Sequence, residues 1–370
     1  MLFCHSLLSD WNHGNAHFLR GVVSELLQRG ARVDAYEPRD AWSVQNLVAE
    51  RGSAALEAIR RPYPRIAPIR YDETIDLARV TADADVVLVH EWNDAKLVRD
   101  LGALRKRGAP FRLLFHDTHH RSVTSPHEIA RYDLSGYDGV LAFGAVVRDL
   151  YVRCGWTRRA WTWHEAADAR VFRPIRRTKE YDLVWVGNWG DEERTEELRE
   201  FLLGPVRELR LKTLVHGVRY PEAAIAELRD AGIEYGGWLP NFEVPSLFAR
   251  SRLTVHVPRR PYACALRGIP TIRPFEALAC GIPLVCAPWD DAEGLFRGGR
   301  DYLVARDGAE MRRHLRTLLD DASLWHSLAV SGRGTVLARH TCSHRVDALL
   351  SICAELGVDT ALRGEQRVSA

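Results

Sequence analysis

Three histidines and an aspartate fall within five positions of FHDTHHRSV, a stretch that follows the apolar run FRLLF. They are His116, Asp117, His119 and His120. Imidazole and carboxylate groups bind divalent metal ions, and they are also the groups that most often move protons in catalysis. The stretch is therefore compatible with a metal site, an acid–base site or polar packing. Which of these applies depends on the secondary structure that positions the four side chains.

A second stretch, VWVGNWGDEERTEEL, reads as a strand, a glycine turn and a helix. Gly187 and Gly190 allow the backbone to approach a ligand, with Asn188 between them, and the N–H groups of a helix start attract phosphate. Arg194 is the side chain placed to reach a pyrophosphate. The acidic residues 191–193 suit a helix that caps itself, so phosphate binding and a plain tight turn both remain open.

A third stretch, RPFEALACGIPLVC, spans residues 273–286 and reads as a helix that Gly281 ends before a strand. It places Glu276 near the start of the helix, where a carboxylate can accept hydrogen bonds from a ribose diol. The same carboxylate also suits a simple partner for the helix dipole. Arg273, which opens the stretch, is one of several arginines whose planar guanidinium groups suit phosphate.

Short apolar runs alternate with amphipathic stretches along most of the chain, and a proline-rich, charged break at VFRPIRRTKE divides them. Strands that alternate with helices predict parallel sheets, and two such sets predict two Rossmann-like domains. Ligands of such domains bind at the carboxyl ends of the strands, which is where FHDTHH lies. After the starting run MLFCHSLL, the predicted strands are 31–36, 84–90, 111–116, 139–144, 160–165, 181–187, 212–217, 233–238, 253–258, 282–287 and 301–305.

Composition limits the classes of function. The chain has 370 residues, more than one hydrophobic core usually accommodates, which predicts two domains. A net charge of +2 gives no electrostatic basis for nucleic-acid binding. Seven scattered cysteines without a CxxC pair predict a reduced chain rather than a disulfide or zinc framework. The sequence shows neither a signal peptide nor an integral membrane segment, so we expect a cytoplasmic protein.

The run EALACGIPLV resembles the motif of GT-B glycosyltransferases related to glycosyltransferase family 4, especially the CgeB-type, spore-maturation-protein-like branch. GGWLPNFEVPSLFARSRLTVHVP, WHEAADARVFRP and WNHGNAHFLRG are also similar to segments of that family. The resemblance implies a GT-B fold: two Rossmann-like domains that face a cleft, with the C-terminal helix crossing back to the first domain. It implies an acceptor domain at 1–170, a nucleotide-sugar donor domain at 175–340, and a terminal helix and tail at 341–370 that pack on the N-terminal domain.

The resemblance assigns donor-binding roles to particular residues. It places Glu276 at the ribose of the nucleotide. It places Gly14 and Asn15 in a glycine turn beside the diphosphate. It implies that Trp238 and Leu239, in the loop after the strand IEYGGW, contact the base.

The resemblance also bears on FHDTHH, because a histidine that ends the fourth strand of the family touches the transferred sugar, and His116 matches it. Asp117 or His119 would then serve as a general base toward the acceptor. One departure stands out: the family commonly has a second glutamate eight positions before the ribose-binding one, and this chain has Gly268 there.

These observations predict a glycosyltransferase that moves a sugar from a nucleotide diphosphate sugar to an unidentified acceptor, which is a small molecule, a glycan or a protein. The transfer is predicted to need no metal or other cofactor and to retain the sugar configuration. Three alternatives stay open: a metal-dependent hydrolase that uses the His116–His120 cluster, a GT-B nucleotide-sugar epimerase, and a non-catalytic nucleotide-sugar binder.

Overall fold

The computed structural model describes residues 1–361, apart from the side chain of Asp191, and these residues form two parallel sheets. The strands of the first sheet are β1 (Leu2–Phe3), β2 (Ala35–Pro38), β3 (Ile69–Tyr71), β4 (Val86–His90), β5 (Arg112–Asp117), β6 (Gly139–Ala142) and β7 (Ala160–Thr162). The strands of the second are β8 (Tyr181–Val186), β9 (Thr213–His216), β10 (Ile233–Tyr235), β11 (Ser251–His256), β12 (Leu284–Cys286) and β13 (Leu303–Val304).

Helices connect the strands, as parallel pairing requires. In chain order they are α1 (Ala16–Gln28), α2 (Trp42–Arg51), α3 (Ala54–Glu57), α4 (Leu77–Val80), α5 (Ala95–Lys106), α6 (Arg121–Thr124), α7 (Pro126–Ile129), α8 (Ala145–Arg153), α9 (Thr195–Leu198), α10 (Gly204–Leu209), α11 (Glu222–Asp230), α12 (Val244–Arg250), α13 (Arg260–Cys264), α14 (Ile272–Ala279), α15 (Gly308–Asp320), α16 (Ala322–Arg339) and α17 (Cys342–Glu355). Short 3₁₀ or π segments lie at Ala58–Arg60, Asp191–Glu193, Arg199–Leu203 and Asn241–Glu243.

The chain divides into two compact units. Unit 1 comprises Met1–Glu165 and the described chain from Cys342 onward, and unit 2 comprises Ala166–Thr341. The sheet of unit 1 has the order β3-β2-β1-β4-β5-β6-β7, and that of unit 2 has the order β10-β9-β8-β11-β12-β13. Both orders are Rossmann-like, because the strand order reverses next to the first strand of each unit.

The last helix, α17, belongs to unit 1, where it packs against α1. Arg29, at the end of α1, donates from Nη2 to the Ser343 hydroxyl at 2.7 Å. The indole Nε1 of Trp163 donates to the Arg345 carbonyl at 2.8 Å, and Arg345 Nε donates to the His164 carbonyl at 2.9 Å. These bonds fasten the helix to the segment that follows β7.

Unit 2 has an apolar layer on each face of its sheet, because successive strand residues point to opposite faces. In β8, Leu183 and Trp185 join one buried cluster, while Val184 and Val186 join the other. Each cluster is completed by the helices on its own side of the sheet. The result is a three-layer α/β arrangement that holds the strand ends rigidly.

The sequence prediction of an α/β fold with two parallel sheets is confirmed. It missed β3, whose three residues at the edge of the sheet include the 44% exposed Ile69 and give no buried apolar run. The end of the predicted terminal segment, residues 362–370, lies outside the described residues.

Candidate functional site

The predicted glycine turn follows β8 in unit 2 and packs tightly against the loop after β9. The backbone N–H of Val218 donates to Asn188 Oδ1 at 3.0 Å, which fixes the turn from the side. A Cβ atom on Gly217 would lie 2.0 Å from the carbonyl oxygen of Gly187, so neither backbone leaves room for a side chain. Gly190 has φ 86°, in the left-handed region that favours glycine.

Arg194 folds back across this turn. Its guanidinium donates to the carbonyl oxygens of Val257 at 3.1 Å and Trp189 at 3.4 Å, and also to that of Asn188. The group lies 5.0 Å from the centroid of the Trp185 ring. None of the described carboxylates forms an ion pair with it, so backbone dipoles and an aromatic face surround its charge.

Removal from water lowers the pKa of Arg194 to about 9, and the neighbouring charges of Arg259 and Arg273 act in the same direction. His256, at the end of β11, has its pKa lowered to about 3 by burial and then by the charges of Arg194 and Arg273. Arg259 is itself paired with Glu193 at 3.0 Å. Three arginines thus lie close together at the carboxyl end of the sheet of unit 2, and two of them, Arg259 and Arg273, are paired with carboxylates.

Glu276 lies on α14 and is fully buried. Its Oε1 accepts a hydrogen bond of 2.7 Å from Asn241 Nδ2, and its Oε2 is paired with Arg273. The carboxylate is thus oriented by two side chains, and an ionised carboxylate has lone pairs for further donors. The Glu276 side chain is closed to water.

Thr271 precedes α14 with φ 60° and ψ 178°, a conformation that is almost restricted to glycine. Its hydroxyl lies 3.4 Å from Nε2 of His256, whose Nδ1 lies 3.0 Å from Sγ of Cys286. The strain places this hydroxyl beside the arginine-rich region. Of the two predicted base-binding residues, both half-buried, Leu239 packs against the apolar core, and Trp238 precedes it in the same loop.

In unit 1, His116 and Asp117 point to opposite faces of the sheet, as neighbouring strand residues must. The His116 ring packs against Phe18 and Trp163, with centroids 5.9 and 4.8 Å away. The Asp117 carboxylate accepts from the Tyr151 hydroxyl at 2.8 Å and from the His119 backbone N–H at 3.0 Å. Burial and then the charge of Glu91 raise the pKa of Asp117 well above its ordinary value.

His119 and His120 lie beyond the strand end, with ring centroids 4.0 Å apart. His120 Nδ1 is 2.8 Å from the Thr124 hydroxyl, and His119 meets the edge of Trp92 at 5.2 Å. The guanidinium of Arg121 covers that indole at 3.9 Å. These side chains follow different directions from His116 and Asp117, so the four residues of FHDTHH do not converge on one point.

No group of three or more His, Cys, Asp or Glu side chains within residues 1–361 is arranged to hold a metal ion. The geometry therefore gives no support to the alternative of a metal-dependent hydrolase built on His116–His120. No helix of the described chain is long and apolar enough to cross a membrane.

Thr118 is a hub that the sequence analysis missed. Its hydroxyl donates to Glu91 Oε1 at 3.0 Å, lies 3.1 Å from His90 Nε2, and accepts a hydrogen bond from Asn15. Glu91 is buried and paired with Arg121 at 2.8 Å. The hub joins the glycine turn at Gly14 and Asn15, one of the predicted donor segments, to the loop of FHDTHH.

A file of aromatic rings crosses the carboxyl edge of the sheet of unit 1, with successive centroids 4.5, 5.3, 6.1, 5.2 and 4.8 Å apart. We call it the ring file; its members are Trp42, His5, His13, His90, His116 and Trp163. His5 and His13 both follow β1, His90 ends β4, His116 lies near the end of β5 and Trp163 follows β7, so the file runs across neighbouring strands of one sheet. The file joins His5 and His13 to His90 and His116, which lie far away in the sequence, so no local pattern signalled this arrangement.

Comparison with known proteins places this geometry in context. Residues 194–351 match the model of a family described as glycosyl transferase-like. No curated protein sequence matched the chain.

Solved structures resemble the whole chain at low identity. HepE of Anabaena in complex with UDP-glucose has a TM-score of 0.66 at 13% identity, covering 95% of this chain and 98% of its own. Sucrose-phosphate synthase from Thermosynechococcus elongatus has a TM-score of 0.64 at 12% identity, covering 96% and 98%. The T4 phage BGT in complex with UDP and Mn²⁺ has a TM-score of 0.59 at 12% identity, covering 95% and 98%.

The structural likeness confirms the predicted GT-B fold. The family match supports glycosyltransferase activity, as the sequence predicted.

Proposed function

We propose that the chain transfers a sugar from a UDP-sugar to an acceptor hydroxyl, with the nucleotide held by unit 2. The proposal rests mainly on the surroundings of Arg194. Its guanidinium donates to three backbone carbonyls and forms no ion pair with any described carboxylate. A diphosphate would supply the missing negative charge. UDP is the nucleotide we favour, because HepE of Anabaena and the T4 phage BGT, which share the fold, bind it.

The predicted donor residues fit this role in unit 2. Gly187, Asn188 and Gly190 form the tight turn that the diphosphate would approach, with Arg194 behind it. Arg273 is already paired with Glu276, so we propose that Arg273 turns to the diphosphate when the nucleotide binds. The same movement would free Glu276 for the ribose, with Asn241 keeping the carboxylate in place.

Two further site assignments rest on the resemblance. We propose that Trp238 and Leu239 contact the base, and that Gly14 and Asn15 approach the diphosphate. Asn15 suits this role because its bond to the Thr118 hydroxyl fixes the glycine turn. We also propose that the chain is of the CgeB-type branch and acts in the cytoplasm, where its seven free cysteines would stay reduced.

On the sugar side we propose that His116 contacts the transferred sugar and that His119 lies beside the acceptor. Asp117 fits a positioning role better than that of a base, because its buried carboxylate is held by Tyr151 and itself holds the His119 backbone. We therefore propose that the departing diphosphate takes the acceptor proton. In that mechanism the hydroxyl oxygen bonds to the anomeric carbon as the bond to phosphate breaks, on the same face, which retains configuration.

We propose that arginine side chains, rather than a metal ion, stabilise the departing diphosphate. The charge that develops on the β-phosphate would lie near the guanidinium groups of Arg194 and Arg273, in a site partly removed from water. Preoriented donors of this kind contribute on the order of 2.7–4 kcal/mol each when they act on developing charge. A divalent ion is then not required for the leaving group.

The test is UDP release from UDP-glucose, UDP-galactose and UDP-N-acetylglucosamine, with a mixture of sugars as acceptors and with EDTA present throughout. We expect release with at least one donor, and a loss of about 100-fold in kcat/KM for Arg194→Met, in line with removal of one such donor. Arg313→Met, an exposed arginine of α15, is the matched control and should retain activity. Activity that appears only when the EDTA is replaced by Mn²⁺, or an unaffected Arg194→Met variant, would contradict the proposal.

A further inference from the structure

The ring file leaves one buried group that the proposed transfer does not use. His13 lies inside it, with its ring edge-on to both His5 at 5.3 Å and His90 at 6.1 Å. The side chain is 4% exposed, and its Nε2 has no hydrogen-bond partner among the described atoms. An unpaired buried polar atom costs about 1–3 kcal/mol, so its presence calls for a reason.

The state of the His13 ring follows from its surroundings. Burial and then the neighbouring His5 and Arg20 lower its pKa well below 6.5, so the ring is neutral at pH 7. A neutral imidazole has one nitrogen that carries a proton and one that carries a lone pair. A hydroxyl group suits Nε2 in either tautomer, because a hydroxyl can both donate and accept a hydrogen bond.

The arginines that lower the pKa of His13 and His90 are already paired. Arg20, which lowers the pKa of His13, is bound to Asp10 at 2.8 Å and to the Leu7 carbonyl at 2.7 Å. Arg121, which lowers the pKa of His90, is paired with Glu91 at 2.8 Å. A phosphate or carboxylate carried by the acceptor and placed beside His13 would find neutral imidazoles and paired guanidinium groups, and its desolvation would go uncompensated.

We propose that the carboxyl edge of unit 1 binds an uncharged carbohydrate acceptor, one hydroxyl of which forms a hydrogen bond with Nε2 of His13. A sugar suits the site because its hydroxyls supply donors without charge, while its C–H faces pack on aromatic rings such as Trp42. The inference rests on the proposed glycosyl transfer and adds the class of the acceptor to it. It excludes sugar phosphates and uronic acids as preferred acceptors.

The position of His13 in a loop shows how a ligand could reach its buried ring. The residue lies between Asn12, whose φ is 50°, and the exposed Gly14, in the loop that follows β1. Movement of this loop, rather than of the sheet, would bring Nε2 to a hydroxyl. The Asn15 bond to Thr118 limits that movement to the residues before it.

A binding experiment tests the inference without requiring turnover. The ¹⁵N signals of the histidine rings are recorded with D-glucose, maltose or glucose 6-phosphate at equal concentrations, with UDP present, and the His13 signal is assigned from a His13→Gln spectrum. We expect the Nε2 signal of His13 to shift with a neutral sugar and not with the phosphate. No shift with either neutral sugar, or a larger shift with glucose 6-phosphate, overturns the inference.

A kinetic comparison adds a second readout. His13→Phe keeps a ring of similar size but removes the ring nitrogens, so the KM for a neutral sugar acceptor should rise on the order of five- to tenfold, the value of one hydrogen bond. His13→Gln restores a hydrogen-bonding group and should recover part of that loss. The KM for the UDP-sugar serves as the internal reference, and equal KM values for the sugar in all three proteins would contradict the inference.

The two proposals fail in different ways. If UDP binds and the sugars leave the His13 signal unchanged, the acceptor inference fails and the donor site stands. If UDP does not bind, the proposed function fails, whatever the sugars do.

Discussion

Acid should weaken the folding of unit 1 because several of its histidines, among them His5 and His116, are buried in the neutral form. His116 is fully buried, and burial lowers its pKa to about 3, while an unfolded chain has histidines with a pKa of about 6.5. Between these values the unfolded chain takes up a proton that the folded chain refuses. The contribution to stability is therefore complete above pH 6.5 and is lost as the pH falls toward 3.

The size of the effect follows from the linkage relation. Between pH 7 and pH 5 the free energy of unfolding should fall by about 2 kcal/mol for His116 alone. His5, whose pKa is lowered to about 4, should contribute a similar amount. Together these losses are a large part of the roughly 5–15 kcal/mol that stabilises a typical domain.

The assay is urea unfolding at several pH values, followed by circular dichroism, for the native chain and His116→Gln. The variant removes a titrating group and also some packing on Trp163, so it should be less stable at pH 7. The difference in unfolding free energy between the two proteins should then shrink by about 2 kcal/mol from pH 7 to pH 5. This comparison cancels the opposite contribution of carboxyl groups whose pKa is raised, such as Glu37.

Two comparisons test whether His116 titrates differently in the folded and unfolded chain. The difference should stay constant between pH 7 and pH 8, because neither state of the histidine titrates there. A difference that also stays constant down to pH 5 would show that His116 takes up protons equally in the folded and unfolded chain, and it would refute the reasoning.

Two further predictions concern glycines. A methyl group on Gly190, whose φ is 86°, would lie 2.7 Å from Nε of Arg194. Gly190→Ala should therefore displace Arg194 and weaken UDP binding at least tenfold, as measured by calorimetry. An unchanged affinity would show that Arg194 does not bind the nucleotide. On α16, a Cβ at Gly332 would meet the Asp301 carbonyl oxygen at 2.7 Å, whereas one at Gly334 meets nothing within 4 Å. In urea unfolding, Gly332→Ala should therefore lower the free energy of unfolding by about 1–3 kcal/mol. Gly334→Ala should raise it by roughly 0.5–1 kcal/mol, because alanine has the higher helix propensity. A rise for both variants would contradict the packing of this helix.

The architecture was predictable because its signals are local. Alternating apolar and amphipathic segments predict parallel strands and helices, and a glycine such as Gly30, with φ 87°, ends a helix where the pattern stops. A short edge strand such as β3 carries no comparable signal, since the exposed Ile69 breaks the expected burial.

The site was less accessible from the sequence, because its contacts join distant residues. Asn241 and Glu276 are 35 positions apart, and no spacing rule connects an amide in one loop with a carboxylate on a later helix. The strand period did imply that His116 and Asp117 point apart, yet their closeness in sequence favoured a single cluster. The backbone of Thr271 was beyond prediction, because a β-branched residue is the least expected at φ 60°.

The measurement closest to the central claim is the binding of UDP, GDP, ADP, dTDP and CMP to the native chain and to Glu276→Ala, by thermal shift with and without EDTA. A ligand that binds only the folded chain must raise its melting temperature. We predict that UDP stabilises the native chain, that EDTA does not change this, and that Glu276→Ala reduces it. If no nucleotide raises the melting temperature while EDTA alone lowers it, unit 2 is not a nucleotide-sugar site and a bound metal must be sought instead.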